Sequence, residues 1–125
     1  MTENEIAREI VDSAFKVHTT LGPGLLESIY EAAMNHELTK RGLGVFRQHP
    51  LPIIYDNVHL GEGYRADLLV EDLVIVEIKS IDAVAPVHKK QLLTYLRLSN
   101  KRLGLLINFN VDLIKDGITR LANGL

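Results

Sequence analysis

The sequence has no cysteine among its 125 residues. That absence excludes disulfide scaffolds, thiolate zinc sites, iron–sulfur clusters and cysteine nucleophiles. It also makes an oxidising compartment unnecessary. Long apolar runs are missing too: none approaches the roughly 18 residues of a membrane span, because Glu, Lys or Asp breaks the longest candidates. The opening Met1-Thr2-Glu3-Asn4-Glu5 is acidic where a secretory leader is basic. A soluble, cytoplasmic chain is the expectation. The five histidines fall in different predicted elements, which leaves no zinc-ligand spacing. Ser80 has no His–acid arrangement near it in sequence, so a small-molecule hydrolase reading has no nucleophile motif behind it. Repeats, linkers and low-complexity segments are absent as well.

What is present suits one globular domain spanning residues 1–125, with 46% hydrophobic and 24% charged residues. The net charge of −2 conceals an uneven distribution. Residues 1–37 hold seven acidic and two basic side chains, whereas residues 79–102 hold six basic ones against Asp82 alone. The basic block fits a phosphate-backbone footprint, though charge alone favours a solvated helix with a cationic C-terminal end.

Hydrophobic periodicity and punctuation predict the order α-α-β-β-β-α-β. Thr2-x-x-Glu5 forms a capping box ahead of Ile6, Ile10, Ala14 and Val17, and Leu21-Gly22-Pro23-Gly24 stops that helix. A second helix is expected from Leu25 to Lys40, ending at Gly42. Strands are expected over 45–55, over 58–70 with an interruption near Gly61-Glu62-Gly63, and over 73–79. The last is almost continuously apolar, as in a strand covered on both faces. A helix from Ala85 to Leu98, a strand from Leu103 to Phe109 and a short helix near Ile118–Ala122 complete the expectation. The fold class is α/β, a small mixed sheet flanked by helices.

Within the most apolar strand stand Glu77 and Lys79, whose equal parity sends both from one face. Burying two charges is costly unless they pair or bind something; a strand end emerging into solvent or a simple salt bridge is the plainer alternative. Asp67 lies on the preceding strand. A two-residue turn would set it opposite Val76, but an odd loop such as Glu71-Asp72-Leu73 sets it opposite Glu77, bringing the two carboxylates together. We expect the odd register. Two carboxylates and a lysine suit Mg²⁺ or Mn²⁺, hard ions with oxygen ligands. Glu27, Tyr30, Met34 and Leu38 share one stripe of the second helix, which places Glu27 inward among apolar partners or leaves it a half-exposed acid near the helix N-terminus. His88, Gln91 and Tyr95 form a polar row on the third helix. That row is suited to a nucleic-acid backbone or to orienting the lysine, and is also compatible with an ordinary exposed face.

Taken together, Gly24-Leu25-Leu26-Glu27-Ser28-Ile29-Tyr30, Leu60-Gly61-Glu62-Gly63-Tyr64-Arg65-Ala66-Asp67, Glu77-Ile78-Lys79 and Gln91-Leu92-Leu93-Thr94-Tyr95 resemble the GxxExxY family of the PD-(D/E)XK nuclease superfamily. The likeness continues through Leu105-Leu106-Ile107-Asn108-Phe109 and Lys115-Asp116-Gly117-Ile118. It departs at Ala66, where the superfamily label writes proline. The resemblance implies a restriction-endonuclease-like αβββαβ core in which Asp67 and Glu77 bind Mg²⁺ (or Mn²⁺) and Lys79 assists phosphodiester hydrolysis. By the same likeness Glu27 joins the catalytic and metal-binding set, while Gln91 and Tyr95 support DNA binding or the lysine. His88, Lys89 and Lys90 then lie along the expected path of the nucleic acid, with DNA the expected polymer. The alternative is a non-catalytic module that binds nucleic acid or protein on the same fold. A homodimer enclosing DNA, with the apolar C-terminal tail contributing, is a further expectation.

Overall fold

Helix α1 (Glu3–Leu21) begins at the expected capping box: Thr2 Oγ1 accepts the Glu5 N–H at 3.2 Å, and Glu5 Oε1 accepts the Thr2 N–H at 2.9 Å. Such a cap contributes about 1 kcal/mol. Helix α2 (Glu27–Lys40) starts two residues later than its periodicity suggests. Strands β1 (Val45–Tyr55), β2 (Val58–Val70) and β3 (Val74–Lys79) follow, then helix α3 (Pro86–Ser99) and strand β4 (Leu103–Asn108). The computed structural model describes residues 1–125.

The tail differs from expectation. A single 3₁₀ turn (Ile114–Gly117) leads into strand β5 (Ile118–Ala122), which pairs antiparallel with β4. The predicted helix there is wrong because β4 would otherwise leave an edge unpaired, and a fifth strand satisfies it. Leu121 packs against the α3-side core, so this apolar side chain is used within the chain and lends the expected homodimer no support.

The sheet runs β1-β2-β3-β4-β5, antiparallel throughout except for the parallel β3–β4 pair joined across α3. Helices α1 and α2 cover one face, where Ile6, Ile10, Tyr30, Met34 and Leu38 meet Leu68, Val70, Val76, Ile78, Leu105 and Ile107. Helix α3 covers the other with Leu92 and Leu96 against Ala66, Leu69, Ile75 and Leu106. Burial on both faces explains the unbroken apolar run of β3. A carboxylate staples the two helices of the first face: Glu37, nearly buried, meets Lys16, Lys40 and Arg41 at 3.2–3.3 Å.

The expected break near residues 61–63 is instead two bulges in a continuous β2, with register shifts between Leu51 and Pro52 and between Ile53 and Ile54. Gly63 cannot carry a Cβ there, since one would stand 2.2 Å from Ile53 Cγ1.

Candidate active site

Val70 pairs with Val74 across the loop Glu71-Asp72-Leu73, and Leu68 pairs with Val76. This is the odd register. Carried one residue further, it sets Asp67 opposite Glu77. The ladder ends at that point, and the Asp67 carboxylate takes over: its Oδ2 accepts the Ile78 N–H at 2.8 Å. Beyond this level β2 pairs only with β1.

The phase of β2 also slips here. Ala66 and Leu68 have the same parity, yet one packs towards α3 and the other towards α1 and α2. On β1 the same thing happens: Arg47 reaches Glu31 on α2, while His49 joins Tyr64 and Ala66 on the α3 side. Gln48 and Asp67 are the residues at the slip, and Gln48 adopts a left-handed φ of 48°.

The two acids consequently turn to different partners. Asp67 lines a recess of about 200 Å³ with Glu27, Ser28, Glu31, Gln48 and Ile78. Glu77 accepts a hydrogen bond from the Tyr64 hydroxyl, and Tyr64 stacks on Tyr95 with the rings 16° from parallel. Both acids are raised above their ordinary range. For Glu77, burial and then the Asp67 charge push its carboxyl up to about 7, against the Tyr64 hydrogen bond and Lys79. For Asp67, burial again dominates and the Glu31 charge adds to it, while the Ile78 N–H and Gln48 oppose the shift. Burial and the charges of Glu77 and Asp67 raise the Tyr64 phenol, keeping it a donor.

Lys79 projects on the same strand as Glu77 and favours the ionised form of both acids, yet no lysine or arginine comes within 4 Å of either carboxylate. Its backbone is fixed by the Phe109 N–H, which donates to the Lys79 carbonyl at 2.9 Å. Next to it, buried Asn108 holds the loop after β3 through both Ile81 backbone groups, at 3.1 and 2.9 Å.

Glu27 is not core-facing. It is the first residue of α2, and the stripe it was assigned to is buried only from Tyr30 onwards. Its carboxylate nevertheless reaches the end of β3, accepting the Ser80 N–H at 3.3 Å, while Ser80 Oγ donates to the Leu25 carbonyl at 2.6 Å. Tyr30 explains the rest of that segment. Fully buried and stacked on Phe109 at 4.5 Å, it donates to the Gly22 carbonyl at 2.5 Å and accepts the Leu25 N–H at 3.1 Å. Gly24, at φ 94°, takes a conformation that side chains resist. The Gly24-x-x-Glu27-x-x-Tyr30 pattern is thus a pinned loop that delivers one acid to the end of β3.

On α3 the polar row divides. His88 Nδ1 accepts the Ala85 N–H at 3.0 Å, so its ring caps the helix. Tyr95 braces Tyr64. Gln91, Lys89 and Lys90 are exposed and free of hydrogen-bonded side-chain partners. No three His, Asp or Glu side chains gather closely enough to enclose an ion, so Asp67, Glu77 and Glu27 do not form one three-ligand set. The donor chemistry of the acid pair still fits a hard divalent cation: two partly buried carboxylates repel each other, and no side-chain cation of the chain pairs with them. Tyr64, Gln48 and Glu31 were not singled out from sequence. Tyr64 could have been, as an aromatic three residues before the acid on the same strand.

The family model of the PD-(D/E)XK nuclease superfamily matches residues 4–121. The chain belongs to that superfamily, whose nucleases generally use divalent metals. No curated protein and no solved structure is significantly similar to it.

Proposed function

We propose that this chain is a divalent-metal-dependent nuclease of the GxxExxY group, hydrolysing phosphodiester bonds in nucleic acid, with DNA the expected polymer. One observation carries the reading: Asp67 and Glu77 stand opposite each other in register where the β2–β3 ladder ends, both raised by burial, with Lys79 two residues along. Mg²⁺ or Mn²⁺, held by Asp67 and Glu77, would neutralise the scissile phosphate and lower the pKa of a bound water. Glu27, which lines the same recess as Asp67, would act on the solvent side of the site.

The chain's own groups do the rest. The Ile78 N–H and the Tyr64 hydroxyl each fix one acid in place. Lys79, unpaired and beside them, donates hydrogen bonds to the attacking water or to the phosphoryl oxygens as negative charge develops there. Lys89, Lys90 and Gln91 on the exposed side of α3 offer phosphate and sugar contacts, which position a backbone without reading its sequence. Tyr95 supports the site through Tyr64.

The test is cleavage of single- and double-stranded DNA and of RNA with Mg²⁺ or Mn²⁺, for the wild type and for Asp67→Ala. Metal-dependent cleavage that Asp67→Ala abolishes supports the assignment. Cleavage indifferent to Asp67→Ala removes these residues from the reaction, and nucleic-acid binding without cleavage favours the accessory-module alternative.

A further inference from the structure

We infer that Gln48 is a positioning residue for Asp67, itself held by a Glu31–Arg47 pair. This inference rests on the nuclease reading above. Gln48 lies between Arg47, which pairs with Leu68, and His49, which pairs with Ala66, so it stands opposite Asp67. Its side-chain amide donates to Asp67 Oδ1 at 3.3 Å and to Glu31 Oε1 at 2.5 Å. An amide NH₂ has two donors, and both are spent on carboxylates. Glu31 is buried and fixed in turn by Arg47, whose Nε and terminal nitrogen donate to Glu31 Oε2 at 3.2 and 3.0 Å.

The backbone supports the same assignment independently. A non-glycine residue at φ 48° inside a strand is uncommon, and strain of this kind persists only where the surroundings demand it. Here the left-handed residue is what slips the phase of β1. Without the slip, Arg47 and His49 would share a face, and Gln48 would point away from both acids. Asp67 is thereby clamped at both oxygens, Oδ2 by the Ile78 N–H and Oδ1 by Gln48. A carboxylate has about four lone-pair sites, so acceptor capacity remains on each oxygen, directed by the clamp. An acid held this way loses little freedom when it takes up a cation. Partners of this outer kind typically change metal affinity by about 10–100-fold.

The experiment compares wild type, Gln48→Gly and Gln48→Glu. Glycine tolerates the left-handed backbone and deletes the amide; glutamate keeps the length and replaces a donor with a third carboxylate. Two readouts are taken: Mn²⁺ binding by calorimetry, and amide hydrogen exchange at Ile78 in the metal-free protein. The result expected for Gln48→Gly is an unchanged fold, Mn²⁺ affinity lower by about tenfold and faster exchange at Ile78, with α1 amides unaffected. Gln48→Glu, which keeps the length but cannot donate to Asp67, shows the same faster exchange at Ile78. Ile78 exchange identical in wild type and Gln48→Gly overturns the inference. If the wild type binds no Mn²⁺, the nuclease reading fails instead, and the exchange data still decide whether Gln48 holds Asp67.

Discussion

Asp67 stands opposite Glu77 at the level where the β2–β3 ladder ends, and its carboxylate occupies the Ile78 N–H that the next ladder bond would have used. A structural break and the proposed site therefore coincide. Strands that part leave room for a substrate, and the acids at the break are partly buried without a cationic partner.

Acid should stabilise the metal-free protein through Glu77. Its pKa is raised on folding, from 4.5 to about 7. The contribution is therefore fully present below pH 4.5 and is lost as pH rises through about 7, amounting to about 3 kcal/mol. Glu77→Gln, neutral at every pH, should flatten the melting temperature across that window. Added Mg²⁺ should raise the melting temperature of the wild type more at pH 8 than at pH 5.

Glu37 should act with the opposite sign. Burial works to raise its carboxyl, but hydrogen bonds from Arg41, Lys40 and Lys16 win and hold it below 4.5. Its stabilisation is present above pH 4.5 and disappears as acid protonates it. Glu37→Gln should lower stability at pH 7 by about 1–3 kcal/mol, with a smaller difference from wild type below pH 4, read by urea denaturation.

Tyr64→Phe deletes one hydroxyl and keeps the stack on Tyr95. A hydrogen bond to a charged group is worth about 1.5–3 kcal/mol, so cleavage should fall by about ten- to a hundredfold, with the Glu77 carboxyl rising further. Steady-state kinetics and carboxyl-carbon NMR check the two halves. Wild-type rates in Tyr64→Phe would leave Tyr64 as a packing residue only.

Tyr30→Phe should destabilise the loop between α1 and α2. The phenol serves the Gly22 carbonyl and the Leu25 N–H, and losing both costs about 1–3 kcal/mol. Thermal denaturation reads the global loss. Faster exchange of the Leu25 and Ser80 amides would show that the loop itself has loosened.

Much of this arrangement was legible in the chain itself, for local reasons. The odd β2–β3 register was expected because it brings two carboxylates and Lys79 together, and the pairing of Val70 with Val74 across a three-residue loop delivers it; α1 followed from its cap. For Glu27 periodicity left an inward acid and an exposed one near the helix N-terminus both open, because a stripe can be extended past the true helix start, and the first-turn geometry decides for the exposed one. The C-terminal strand was missed because five residues hold too little pattern to separate strand from helix; pairing with β4 decided it. Gln48 was illegible for a different reason. Its left-handed backbone has no glycine or asparagine to announce it, and the phase slip it produces exists only when β1, β2 and α2 are assembled. Tyr64 was visible within its motif, but its role depends on where Glu77 and Tyr95 lie in space.

The most direct test of the central claim is the single-turnover cleavage rate of Lys79→Ala against wild type at saturating Mn²⁺, with metal binding measured on the same samples. The account predicts unchanged Mn²⁺ affinity within about twofold and a cleavage rate lower by about 10²–10³, as for loss of one donor aimed at developing charge. Equal rates at equal metal occupancy would contradict it.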